Sequence, residues 1–327
     1  MERISLARDL MEDYYDVIVI GSGYGGSISA SRMARAGKKV CLLERGSEIL
    51  PGDFPDDEIE AIEQLQIDSC LGKVGSATGL YNIHVNKEQS VVVGCGLGGT
   101  SLINANVSLK PLPEVFDTSI WPSQISEDAD YLLAQGFDRA LNMLKAQPYP
   151  TQHPELEKYI AHKQSAIAMG AQDHFYRPPI NVNTKTGVNH VGVTQAACNN
   201  CGDCISGCNT GAKNTTLMNY LPDAYNHDAD IFCEVSVKYL KQSSDGWLVY
   251  FQESDAAAVF DQPLRFVKAG LVIISAGTLG SNEIMLRSKA KGLSVSDKLG
   301  TQFTGNGDVL GFGYNCDQAI NGIGFGD

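Results

Sequence analysis

One short stretch near the N-terminus restricts the fold more than any other. Asp16-Val-Ile-Val-Ile20 is a β-branched apolar run with the composition of a buried parallel strand. It enters Gly21-Ser22-Gly23-Tyr24-Gly25-Gly26 without a break, so that Gly21, Gly23 and Gly26 spell GxGxxG. Ile28 to Ala36 reads as a small-residue helix stopped at Gly37. Lys39-Val-Cys-Leu-Leu43 is a second apolar strand, closed by Glu44 and followed by Arg45. Each part has a physical task. Gly21 permits the tight strand-to-helix turn, Gly23 lets backbone approach a pyrophosphate, and Gly26 lets the helix pack on the strand. The helix N-terminus offers free N–H groups and a positive dipole end to phosphates, and Glu44 can accept hydrogen bonds from a ribose. A lone GxGxxG is weak, but here strand, turn, helix, strand and acid fall in register.

Whole-chain properties narrow the class. A length of 327 residues suggests about two domains with a large core. The formal charge of −13 argues against nucleic acid or an anionic membrane surface as partner. No 18-residue apolar stretch is present, so no transmembrane helix is expected, and Met1 to Asp13 lacks the apolar centre of a secretory signal. Four of nine cysteines fall within eleven residues, which fits a reducing, cytoplasmic compartment better than a disulfide framework.

Further along, Pro51 to Glu63 reads as loop and short helix, and Gln89 to Val93 as a strand entering a second glycine-rich run, Gly94 to Asn106. Ser126 to Lys145 and Glu155 to Met169 read as amphipathic helices, and another contains Leu217 to Tyr225. Asp230 to Tyr239 and Trp247 to Gln252 read as a hairpin around Ser244-Asp-Gly246. Leu271-Val-Ile-Ile-Ser275 repeats the buried-strand pattern before Ala276-Gly-Thr-Leu-Gly-Ser281 and a helix to Arg287. A last strand is read at Asp308 to Tyr314. Strands separated by helices imply a parallel sheet, hence an α/β fold.

The Gly94 run lacks the lysine of a Walker loop, so it does not support nucleotide hydrolysis. A flat ring system is another reason for such a run, because a flavin needs bare backbone and N–H donors close to it. GSGYGG with Glu44, GCGLGGTSLINANV and AGTLGS together resemble the glucose–methanol–choline (GMC) oxidoreductases, and within them the cholesterol-oxidase-like branch. The resemblance covers nearly the whole chain. It implies a Rossmann-type FAD-binding domain with an inserted substrate domain, truncated at the C-terminus. Residues 1–110 and 230–307 would form the FAD domain, 111–229 the inserted region with its Cys-rich loop, and 308–327 the start of the substrate domain. By position, Gly21, Gly23, Gly26 and Glu44 would hold the ADP half of FAD, and Ser22, Tyr24, Gly25, Arg45 and Gly94 would also bind the cofactor. Gly98, Gly99, Thr100, Asn104, Ala105 and Val107 would border the isoalloxazine, Val235 would meet adenine, and Ala276 and Gly277 would line the cleft.

The implied activity is oxidation of an alcohol, a sterol or another bulky one, with electrons passed to oxygen or a redox partner. The family's catalytic base would lie beyond Asp327. His84, His153, His162, His174, His190 and His227 match none of its positions, so the catalytic residue is unassigned. An NAD-dependent dehydrogenase and a catalytically incomplete FAD-binding fragment are the rival readings.

Cys198, Cys201, Cys204 and Cys208 have the CxxCxxCxxxC spacing of bacterial ferredoxins, with Asn209 where those proteins carry proline. Three readings stay open at this point: an iron–sulfur cluster, a structural zinc on four thiolates, or thiols without metal. The following Gly211-Ala-Lys213 is read as carrying either a substrate-side cation or a solvated lysine, the latter favoured.

Overall fold

The computed structural model describes residues 1–116, 118–128, 131, 133–254, 262–309, 311, 317 and 320. In chain order its main elements are β1 (Tyr14–Ile20), α1 (Tyr24–Arg35), β2 (Val40–Leu43), α2 (Glu58–Glu63), β3 (Leu65–Ser69), β4 (Gly72–Gly75), β5 (Tyr81–Val85) and β6 (Val91–Gly94). There follow α3 (Ala134–Leu144), α4 (Glu157–Ala168), α5 (Tyr220–Tyr225), β7 (Asp230–Phe232), β8 (Val235–Ser243), β9 (Gly246–Glu253), β10 (Arg265–Ile274) and α6 (Gly277–Ala290).

Six strands form the principal sheet in the order β7-β2-β1-β10-β9-β8. The first four run parallel, with Val17 opposite both Val40 and Leu271. β10, β9 and β8 form an antiparallel meander. Alternation along β1 explains why it is central. Val17 and Val19 point into one apolar cluster with Ala30, Ala34 and Leu221, which belong to α1 and α5. Ile18 and Ile20 point into another, with Val237, Val249, Phe251 and Val267 of the meander, and Tyr15 at the start of the strand joins that second cluster. A strand buried on both faces reads as a continuous apolar run. Each fully buried side chain of this size contributes roughly 1.5–3 kcal/mol from the area removed from water. The single polar atom of Tyr15 is satisfied at the rim, where its hydroxyl lies 2.8 Å from Asp230 Oδ2 and accepts from Glu12 N at 3.1 Å.

The Asp230–Tyr239 strand is corrected. It breaks at Cys233-Glu234, where Glu234 takes φ +60°. β7 joins β2 in parallel, whereas β8 turns back to pair with β9. Both segments are apolar, so periodicity alone cannot see the break. The hairpin itself forms as expected, with Ser243 opposite Gly246. The Gln89–Val93 strand also forms, as β6, but in a separate four-stranded sheet of order β4-β3-β5-β6. β3, β4 and β5 are not seen in the sequence reading. The short helix expected within 51–63 is α2, capped by Asp57 Oδ1, which accepts from Ile59 N and Glu60 N at 2.9 and 2.8 Å. Of the two amphipathic helices, the second shortens to α4, and α3 lies within the first, part of which falls outside the described residues. Residues 308 and 309 are not in a strand, and the rest of the expected strand lies mostly outside the described residues.

Candidate active site: a dinucleotide cleft

A cleft of about 370 Å³ opens at the C-terminal ends of β1, β2 and β10, the position where open α/β sheets bind ligands. The first glycine turn supplies one wall: Gly21, Ser22, Gly23, Tyr24 and Gly25. Glu44, Arg45 and Val235 supply the second, Ala276 and Gly277 the third, and Gly94, Gly99 and Thr100 the fourth.

The three motif glycines have three different reasons to be glycine. Gly21 has φ +93°, and a Cβ there would lie 2.5 Å from Ser275 O. A Cβ on Gly26 would lie 1.8 Å from Gly21 O, so α1 packs directly on the turn. Gly23 differs. It has φ −62°, and a Cβ would meet nothing within 4 Å. Gly23 is glycine for the sake of the cleft, not of the fold.

Two helix N-termini face this space. α1 begins at Gly23 and α6 at Ala276; neither has a side-chain cap or an acid in its first turn. Their free N–H groups and positive dipole ends make the cleft a site for negatively charged oxygen. The cleft therefore fits a pyrophosphate, which the sequence motif also requires.

Glu44 is 7% exposed and already engaged by the chain. Its Oε2 accepts from Ser22 N at 3.0 Å and Ser22 Oγ at 2.5 Å, and its Oε1 accepts from Gly46 N at 2.9 Å. A carboxylate has about four acceptor positions, so one is left for a ribose hydroxyl. Ser22, missed as an organiser in the sequence reading, also accepts from Gly98 N at 2.9 Å. It thereby joins the two glycine segments. Thr216, fully buried, reinforces that joint through Ser22 O and Gly98 O, both at 3.3 Å. A Cβ on Gly99 would come within 2.9 Å of Gly23 Cα, so the second glycine run lies directly on the first.

Gly94 lines the cleft; of the residues assigned to a ring, Gly99 and Thr100 line it, whereas Gly98, Asn104, Ala105 and Val107 do not. Gly98 is buried behind it. Asn104 donates through Nδ2 to the Tyr24 hydroxyl at 2.8 Å, tying this loop to α1. Burial raises the Tyr24 phenol above its ordinary value, so it stays protonated. Ala105 and Val107 are exposed, and Val107 forms a bridge to Ile180. Val235 lines the cleft, with its N–H donated to Glu44 O at 2.8 Å.

Among the six histidines only His84 lines the cleft, beside Asp68 and Glu283, and burial lowers its pKa. Lys73 pairs with Asp68 at 2.7 Å and Arg287 with Glu283 at 3.1 Å, so both carboxylates have cationic partners.

The four clustered cysteines lie on a loop turned by Asn200, Gly202 and Gly207, all at positive φ, and none is disulfide-bonded. Asn200 N and Lys213 N each approach a thiol sulfur, those of Cys198 and Cys208, at 3.4 Å. No three of the four Sγ atoms lie within 4.8 Å of one another. Thiolates around one zinc lie about 3.8 Å apart, given a Zn–S bond of about 2.3 Å. The loop is thus not closed around a single ion, and no support for an iron–sulfur cluster emerges. Asn209 has a structural task. Its Oδ1 accepts from Gly52 N and Phe54 N, both at 2.9 Å, and its Nδ2 donates to Phe54 O at 3.0 Å, pinning residues 52–54 to this loop.

The reading of Lys213 as a solvated or substrate-side cation is corrected. Lys213 is 2% exposed. Its Nζ donates to Leu102 O at 3.0 Å, Asn104 O at 2.7 Å and Cys204 O at 2.6 Å, and burial lowers its pKa to about 8.

Comparison with known proteins agrees with this geometry. The family model for GMC oxidoreductases matches residues 15–304, so the chain belongs to that family. It is 29% identical over 317 residues to a cholesterol oxidase of Mycobacterium tuberculosis, covering 92% of this chain and 53% of the relative. A cholesterol oxidase of Acinetobacter baumannii is 28% identical, covering 93% and 57%. The long-chain-alcohol oxidase FAO4B of Arabidopsis thaliana is 23% identical, covering 90% and 37%. The chain spans about half the length of the cholesterol oxidases it matches. Among the described residues no helix is long and apolar enough to cross a membrane.

Proposed function

We propose that this GMC oxidoreductase binds FAD in the cleft between its two glycine segments and serves in the oxidation of an alcohol to a carbonyl compound. The observation that carries the reading is the contact of Gly99 with Gly23 at the mouth of two uncapped helices. It sets bare backbone for a flat ring beside N–H groups for a pyrophosphate. FAD held in this cleft would supply the hydride-accepting flavin that alcohol oxidation needs.

The chain's own residues bind and orient. The first turns of α1 and α6 offer N–H groups to the phosphates, Glu44 receives a ribose hydroxyl at its remaining acceptor position, and Val235 borders the adenine end. Gly94, Gly99 and Thr100 carry the loop that faces the ring, and Asn104 fixes that loop to Tyr24. An interruption within 111–229 belongs to the same reading, since strands from both flanks share one sheet, although Leu217, Leu221 and Ala224 at its end pack in the core of that sheet beside α1.

A sterol or another bulky alcohol is the proposed substrate class, supported by the cholesterol and long-chain-alcohol oxidases among the relatives. The test is direct: purified protein should be yellow and release about one FAD per chain on denaturation. Reduction of the bound flavin under anaerobic conditions by cholesterol, a long-chain alcohol or neither then decides the substrate class. Protein that takes up NAD and not FAD would reject the reading.

A further inference from the structure

Lys213 is not explained by cofactor binding, since it lines no part of the cleft. An ammonium has three N–H donors, and here each meets a carbonyl oxygen. Two of those carbonyls, Leu102 and Asn104, belong to the loop that follows Gly99. The third, Cys204, belongs to the four-cysteine loop. Asn104 is also the residue whose amide reaches Tyr24 at the start of α1. The contacts are therefore continuous from the dinucleotide helix through Tyr24, Asn104 and Lys213 to the Cys204 backbone.

Burying an ammonium is costly unless all its donors are used, so this arrangement forms only when both loops are in place. Removing either loop's carbonyls leaves the charge undersatisfied. We propose that Lys213 is a positioning residue that couples the four-cysteine loop to the ring-facing loop, so that ordering either one favours the other. The inference rests on the FAD reading for its ligand, but concerns how the loops communicate. Linkage requires the coupling to be reciprocal: whatever orders the cysteine loop tightens FAD, and FAD orders the cysteine loop.

The test compares the parent with Lys213→Met, which keeps the length of the side chain and removes its donors, and with Lys213→Gln. Glutamine offers two N–H donors for three carbonyl oxygens and carries no buried charge, so it weakens the link without stranding an ammonium. FAD affinity is measured by fluorescence titration, and amide hydrogen exchange is followed in peptides covering residues 199–208, with and without FAD. In the parent, FAD should slow exchange in these peptides although they lie outside the cleft. In Lys213→Met that protection should disappear, and FAD should bind about tenfold more weakly or worse, within the usual range of site-to-site coupling. Lys213→Gln should lose part of the protection; if Lys213→Met fails to fold, this variant alone carries the test. Equal protection in the parent and the folded variants would overturn the inference, as would FAD binding unchanged by Lys213→Met. Absence of FAD binding by the parent would instead overturn the functional reading.

Discussion

Replacing Gly23 with leucine should remove FAD binding and leave the fold standing. Gly23 has an ordinary negative φ, and a Cβ there meets nothing within 4 Å, so leucine enters no strained conformation and strikes no protein atom at its root. Two small effects oppose each other. Losing glycine restricts the unfolded chain and stabilises by about 0.4–1 kcal/mol, while leucine is a poorer N-cap by a similar amount. Net stability should stay within about 1 kcal/mol of the parent. The branched side chain fills the space before the free N–H groups of α1, where a pyrophosphate must sit. FAD affinity should fall at least about 100-fold, equivalent to about 2.7 kcal/mol. Gly26→Ala is the control from the same motif. Its Cβ would lie 1.8 Å from Gly21 O, and the overpacking should cost about 3 kcal/mol, a drop of roughly 4–8 °C in Tm. The assays are flavin released per chain and apoprotein thermal unfolding. If Gly23→Leu retains a full complement of FAD, or is destabilised as much as Gly26→Ala, the division between binding and folding glycines is wrong.

Glu44→Ala should destabilise the apoprotein by about 1.5–3 kcal/mol, because Ser22 N, Ser22 Oγ and Gly46 N lose a charged acceptor; chemical denaturation measures this without cofactor. Asn209→Ala should raise hydrogen exchange at residues 52–54 and cost about 1–3 kcal/mol, since one amide side chain satisfies three backbone groups there. Asp223 predicts an acid sensitivity. Burial alone would raise its carboxyl, but hydrogen bonds from Arg35 and Ser31 outweigh burial and hold it below its ordinary 3.8. A carboxyl depressed in the folded state stabilises above its unfolded pKa and loses that contribution as pH falls through the folded one. Stability should therefore decline below about pH 4, and the decline should be shallower in Asp223→Asn; a parallel decline in both proteins would refute this assignment.

The sequence by itself determined what depends on neighbours along the chain. The β1–turn–α1–β2 unit is legible because β-branched alternation, glycine φ and helix start signals all act within a few residues. The glycine positions of both runs, and hence the family, follow from the same locality. Where each segment would pair was not legible. β6 has the composition of a strand in the principal sheet, yet it pairs with β5, and the Asp230–Tyr239 run divides at Glu234 between two partners. Pairing is decided by which apolar face another part of the chain covers, and no local period records that. The same holds for side chains whose role depends on distant oxygens. Glu44 was visible as an acid at the end of a strand, but not as a group with three of its acceptor positions already filled from Ser22 and Gly46. Lys213 looked like a surface cation because lysine is rarely buried unpaired. Only the fold brings the carbonyls of Leu102 and Asn104, more than a hundred residues earlier, to the same point as that of Cys204. Charge, period and glycine spacing are properties of a stretch of chain, whereas the satisfaction of a buried charge is a property of the space into which separate stretches converge.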